Sequence, residues 1–282
     1  MRMKVYIFII FIFLKSSLFA IEGSTVNTSE ILSLPISDIE KVDTLILLSN
    51  ELINNDYEKS LDFAKEALEL STFNDYNKGI VNSILNIAEV YKNTSNDKMA
   101  MEYAKKAQKK AEKFNLKKQL ALSFRLIGMI YIDLNNYQKS SECFFKCLKI
   151  YENIKDPEGI EETLGDIGNL YFYQGNYKKA LNYFNRALKM AREQKNEKNI
   201  ARGLNNIAAI YESDKDYIKA TKYFEEANAI NIKLKNIQGI IINSLNLGIT
   251  NFKLENFDKS LYYFNKADSL AVLLNNSGDN FF

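Results

Sequence analysis

The chain has 282 residues, 46% of them apolar, with 37 basic and 35 acidic side chains and a formal net charge of +2. Histidine is absent, which removes the commonest general base and the commonest metal ligand, and with them many enzyme classes. Two prolines, 11 glycines and a predominance of Ala, Leu, Lys, Glu and Asn favour helices joined by short polar turns and exclude an all-β fold.

The N-terminus combines a basic start at Arg2 and Lys4, an apolar run from Val5 to Leu14 and the small residue Ala20 ahead of a polar segment. That order is the pattern of a secretory signal peptide over residues 1–20, cleaved near Ala20. The run is too short to span a bilayer, although Lys15, late in the segment, leaves an uncleaved anchor as the alternative. Export to the periplasm or out of the cell is the expected localisation. Without Arg2, Lys4 and Lys15 the basic count falls from 37 to 34 against 35 acids, so nucleic acid is not an expected partner. Residues 21–36, with Pro35 near their end, are expected to form a flexible lead-in.

From there the sequence repeats itself every forty residues. One ladder is Tyr57, Asp97, Tyr137, Tyr177, Tyr217 and Phe257; a second is Ala67, Ala107, Cys147, Ala187, Ala227 and Ala267; a third is Ser60, Ala100, Ser140, Ala180, Ala220 and Ser260. Self-similarity of this length identifies a solenoid of stacked units that display a long surface. Within the unit Ala201 to Leu234, Leu204, Ile207, Ala208 and Tyr211 form one helical stripe, and Ala220, Tyr223, Phe224, Ala227 and Ile230 form another. Between them Ser213, Asp214, Lys215 and Asp216 make the polar break of a helix-to-helix turn. The small positions Ala88, Gly128, Gly168, Ala208 and Gly248 let the two helices of each hairpin approach closely.

The segment LGDIGNLYFYQGNYKKALNYFNRALKM, Leu164 to Met190, resembles a tetratricopeptide repeat, with Leu164, Gly168, Tyr171, Tyr177, Ala180, Phe184 and Ala187 at the marked positions. The longer period is similar to the subclass with lengthened second helices. The resemblance implies an all-α, right-handed solenoid of about six helix-turn-helix repeats over residues 37–274, in units 37–76, 77–116, 117–156, 157–196, 197–236 and 237–274, with a tail at 275–282. It also implies a concave groove that holds a peptide or protein partner. By phase, Asn86, Asp166, Asn206 and Asn246, with the neighbouring Arg125 and Asn205, fall in that groove, flanked by Asn169, Phe172, Arg202 and Phe252. Asparagine suits an extended peptide because its amide both donates and accepts.

Cys143 and Cys147 occupy an aromatic and an alanine ladder position and read as core, and two thiols alone complete no typical zinc set. Pairs such as Glu161 with Glu162, and the run Lys105, Lys106, Lys109, Lys110, Lys113, Lys117 and Lys118, read as solvated faces. No phosphate loop, nucleophile motif or calcium loop is present, so neither cofactor nor enzymatic activity is expected. The last helix, from Phe257 to Leu274, has no polar capping helix after it, which predicts that it recruits a second copy, a partner, or the terminal Phe281 and Phe282. The reading is a non-enzymatic exported scaffold; the alternative is the sensory input module of a signalling protein.

Overall fold

The computed structural model describes residues 28–53 and 56–279, and for 274–279 the backbone alone. The expected signal peptide, Asn54, Asn55, Phe281 and Phe282 lie outside the described residues. Thirteen helices and no strand are found among the described residues. A short helix α1 (Thr28–Ser33) precedes six pairs: α2 (Asp38–Leu52) with α3 (Tyr57–Phe73), α4 (Asn77–Asn93) with α5 (Asp97–Lys113), α6 (Lys117–Asp133) with α7 (Tyr137–Ile154), α8 (Pro157–Tyr173) with α9 (Tyr177–Glu193), α10 (Glu197–Ser213) with α11 (Tyr217–Lys233), and α12 (Ile237–Lys253) with α13 (Phe257–Asp279).

The underlying beat is twenty residues. Most helices are 17 residues long and end in a residue with left-handed backbone: Asp75, Ser95, Asn115, Asn135, Lys155, Gly175, Lys195, Lys215, Lys235 and Glu255. That conformation reverses the chain and ends each helix on its own carbonyls. Twenty residues apart stand the N-caps Asn136, Asp156, Asn176, Asn196, Asp216 and Asn236, each accepting the backbone N–H three residues on. At Tyr76 and Leu116 the cap is missing, because these side chains pack into the core instead.

Each leading helix packs on its trailing helix and on the trailing helix before it, and α2, α4, α6, α8 and α10 also touch one another in series. The leading helices therefore share one continuous layer, the inner side of the solenoid. Inside the hairpins the small ladder does what close approach demands. A Cβ added at Gly128, Gly168 or Gly248 would lie 2.7, 2.5 or 2.6 Å from the ring of Phe144, Phe184 or Phe264. Tyrosines seal the open end of the hairpins: Tyr171 stacks on Tyr183 and Tyr211 on Tyr223, each with centroids 5.5 Å apart. In the sixth hairpin Asn251, buried where the second to fifth have tyrosine, donates its Nδ2 to the Leu247 carbonyl at 2.8 Å.

Two expectations change. The lead-in is helical over residues 28–33, and Ile31 is buried against Val42, Leu45, Phe63 and Ala67; one apolar anchor closes the end of the core that six polar-looking residues do not advertise. At the other end α13 continues to Asp279, so residues 275–279 extend the helix and are not a separate tail.

Candidate binding groove

The inner layer divides the residues selected by phase into two sets. The first set is consumed by contacts between repeats. Asn86 on α4 is buried and donates Nδ2 to the carbonyl of Ile46 on α2 at 3.0 Å. Arg125 on α6 bridges to α8, with Nε donating to Asp166 Oδ2 at 2.5 Å and Nη1 to Glu162 Oε2 at 2.7 Å. Burial disfavours the charge on Arg125, but the carboxylates of Asp166 and Glu162 outweigh it and hold the guanidinium above its ordinary range. Arg202 on α10 reaches back to Glu161 on α8 at 3.2 Å, and Asn199 donates to the same carboxylate. Asn205 accepts from Asn243 of α12 at 2.7 Å.

Glu161 corrects the expectation of a solvated pair. It is 2% exposed, and burial pushes its carboxyl above the ordinary value against the pull of Arg202 and Asn199. Its partners were invisible to a search along one helix because they stand 38 and 41 residues away. The same near-forty separation links Gln119 to Asn82, Asn205 to Asn243 and Lys92 to Asp133. Pairing residues one period apart is the sequence signal that would have found them.

The second set is available. Asn169, Asn206 and Asn246 are half-buried and have no hydrogen-bond partner among the described residues. Phe172 packs between the rings of Tyr173 and Tyr177. Phe252 is 54% exposed, edge-on to Phe257 at 5.7 Å. On the same face of the sixth hairpin, Ile242, Leu245 and Ile249 are also exposed, an apolar stretch at the end of the groove.

A cavity of about 310 Å³ opens on the inner layer of the first three hairpins. Its walls are Ile46 and Asn50 of α2, Asn82, Leu85, Asn86 and Glu89 of α4, and Leu122, Arg125, Leu126 and Met129 of α6. Aliphatic walls with a few amides and charges suit a side chain presented from an extended segment. Of the residues selected by phase, Asn86 and Arg125 lie here; Asn50, Asn82 and Glu89 were passed over.

Outside the groove, both cysteines are buried and unpaired. Burial, the largest influence, pushes the Cys147 thiol up to about 12, and its Sγ lies 3.3 Å from Thr163 Oγ1, so it is a neutral packing group. Three lysines of α5 hold their ammonium groups over aromatic rings, Lys106 over Tyr103 and Lys110 and Lys113 over Phe114.

Comparison with known proteins agrees with this geometry. One family profile described as tetratricopeptide repeat matches residues 119–193, and a second of the same description matches residues 201–231. The chain carries tetratricopeptide repeats. Among solved structures the fold is similar to BtubC from P. vanneervenii, at 18% identity over 78% of this chain and 93% of that one, with a TM-score of 0.66. It is also similar to a Rap protein complexed with Competence and Sporulation Factor, at 15% identity over 88% of this chain and 80% of that one, TM-score 0.68. A third is a signal transduction ATPase with numerous domains, carrying a tetratricopeptide repeat sensor, from Pyrococcus horikoshii; identity is 21% over 84% of this chain but 36% of that one, TM-score 0.64. At these identities the likeness is one of fold. No curated protein sequence gives a match.

The tetratricopeptide repeats are not equivalent along the groove. The second to fourth bring carboxylates and cations to the inner layer, the fifth brings amides with Arg202, and the sixth exposes Ile242, Leu245, Ile249 and Phe252 beside Asn246. The inner layer is therefore graded along its length.

Proposed function

We propose that this tetratricopeptide-repeat array is a non-enzymatic scaffold that binds a protein or peptide segment along its concave face. The observation that carries the reading is the cavity on α2, α4 and α6, continued toward the C-terminal end by the unpaired amides of Asn206 and Asn246 and the exposed Phe252. The side chains around this path are held in place by bonds between repeats, so a ligand meets a formed surface and loses less ordering entropy on binding. The likeness to a Rap protein complexed with Competence and Sporulation Factor supports the same reading.

The test is capture by the native chain beside two variants, Asn206→Ala with Asn246→Ala and Leu122→Ala with Met129→Ala. A partner lost or weakened in either variant supports groove binding. A partner held equally by both contradicts it and directs attention to α13, where Leu261, Tyr262 and Leu273 are exposed and a second copy of the chain would dock. Export follows from the N-terminal pattern of Arg2, the apolar run and Ala20; mass analysis of the protein from its source, starting at Ile21, is the outcome that fits. A sensory input module is the second reading, favoured by the likeness to the repeat sensor of the Pyrococcus horikoshii protein. It requires a ligand-dependent change in hydrodynamic radius that a rigid scaffold does not show.

A further inference from the structure

We propose that the cavity on α2, α4 and α6 receives a cationic side chain, so that the bound segment carries a lysine or arginine beside an aliphatic residue. This rests on the groove reading above and names the chemistry of its occupant. The cavity wall itself carries Glu89 and Arg125; Arg125 is bound by Glu162 and Asp166, and Lys92, whose charge Glu89 also feels, is bound by Asp133, so the carboxylates of this linked group outnumber its cations by four to two. Both cations are already committed. Lys92 Nζ lies 3.3 Å from Asp133 Oδ2, and Arg125 is shared between Glu162 at 2.7 Å and Asp166 at 2.5 Å. Glu89, on the cavity wall, has no ion pair or hydrogen bond among the described residues.

The state of Glu89 is informative. Its surface reaches water at the mouth of the cavity, yet the surrounding protein makes its ionised form costly and raises its carboxyl above the ordinary value. Arg125 and Lys92 counter this in part and Glu162 adds to it. A ligand ammonium or guanidinium placed here meets a carboxylate that no cation of the protein already pairs. An acidic segment meets an excess of negative charge, and a wholly apolar one covers Glu89 without a partner. The amide oxygen of Asn86, whose nitrogen is held by Ile46, lies on the same wall as a further acceptor. Leu122, Leu126 and Met129 supply the apolar surface along which the methylene stem of a lysine or arginine lies.

The experiment uses two fluorescein-labelled nonapeptide pools, alike except that the central pair is Leu-Lys in one and Leu-norleucine in the other, titrated by anisotropy against the full chain. The Leu-Lys pool is expected to bind about tenfold more tightly, as one charge-assisted contact provides, with the advantage shrinking as salt rises. Glu89→Gln removes the advantage, weakening the Leu-Lys pool and relieving the norleucine pool of a carboxylate covered without a partner; Glu69→Gln on α3, outside the cavity, leaves the advantage in place. Circular dichroism confirms that the variants are folded. Equal binding of the two pools to the native chain, or a lysine preference that survives Glu89→Gln, overturns the proposal and leaves groove binding standing. Failure of both pools to bind at about 1 mM overturns the groove reading as well.

Discussion

The first and fourth hairpins build the same helix contact with the bulk on opposite sides. In the fourth, Gly168 on α8 faces the ring of Phe184 on α9, and an added Cβ would come within 2.5 Å of it. In the first, the corresponding positions hold Leu48 on α2 and a fully buried Ala64 on α3. The second has alanine at both, Ala88 and Ala104, neither exposed. What every crossing avoids is bulk on both helices at once; glycine in the leading helix is one way to do so. The junctions between hairpins show greater chemical freedom still. The third meets the fourth through Cys147, Tyr151 and Thr163, while the fifth meets the sixth through a chain of amides that runs from half-buried Asn236 through buried Asn231 and Asn243 to half-buried Asn205.

The largest effect is expected from forcing the fourth hairpin to break its volume rule. Gly168→Leu should cost about 3 kcal/mol in denaturant or thermal unfolding, since a rigid ring face and not a flexible tip blocks the new side chain. Adding Phe184→Ala copies the Leu48 and Ala64 arrangement and should recover more than about 1 kcal/mol of that loss; strictly additive losses would contradict the shared-volume account. At the polar junction, Asn243→Ala should cost about 2 kcal/mol, because it strands the amides of Asn231 and Asn205 in the interior. Native-state hydrogen exchange should then show α12 and α13 opening before the rest, whereas uniform opening would argue against a local defect.

Smaller changes sharpen the contrast between turns. Gly175→Ala places a Cβ on a backbone with φ of +70° and should cost about 1 kcal/mol; Lys215→Gly, at a turn with φ of 63°, should change unfolding midpoints less and in the opposite direction. The smallest effect is a pH dependence at Glu89. Its carboxyl lies above the ordinary value of 4.5, so the folded state holds that proton more tightly than the unfolded chain. Stability therefore falls as pH rises from the ordinary carboxylate range through the raised value. Glu89→Gln lacks this loss, and its melting temperature should fall less than the native one over that window; parallel curves would show that Glu89 carries no such penalty.

Much of the fold was legible because the residues that define it repeat in phase. The glycine and alanine ladders, the aromatic that fills beside them and the polar break at residues 213–216 all report how closely two backbones approach, a local geometric demand. The contacts across repeats were not legible along single helices. Arg125 finds Asp166 and Asn205 finds Asn243 only when the chain is folded at its own period, and contacts of this kind hold Asn86, Arg125, Asp166, Arg202 and Asn205 in place across repeats. Helix α1 escaped notice because six residues are too few to show a period, and Ile31 alone anchors it. Glu89 escaped because amides were sought in the groove, and its importance lies in what its neighbours already hold.

Hydrogen–deuterium exchange on the full chain, with and without its captured partner, shows whether the inner layer of leading helices is the binding surface. Binding there adds protection along α4, α6, α8, α10 and α12, strongest where α4 and α6 line the cavity. Protection confined to the trailing helices α5, α7, α9 and α11, or to α13 alone, would contradict it.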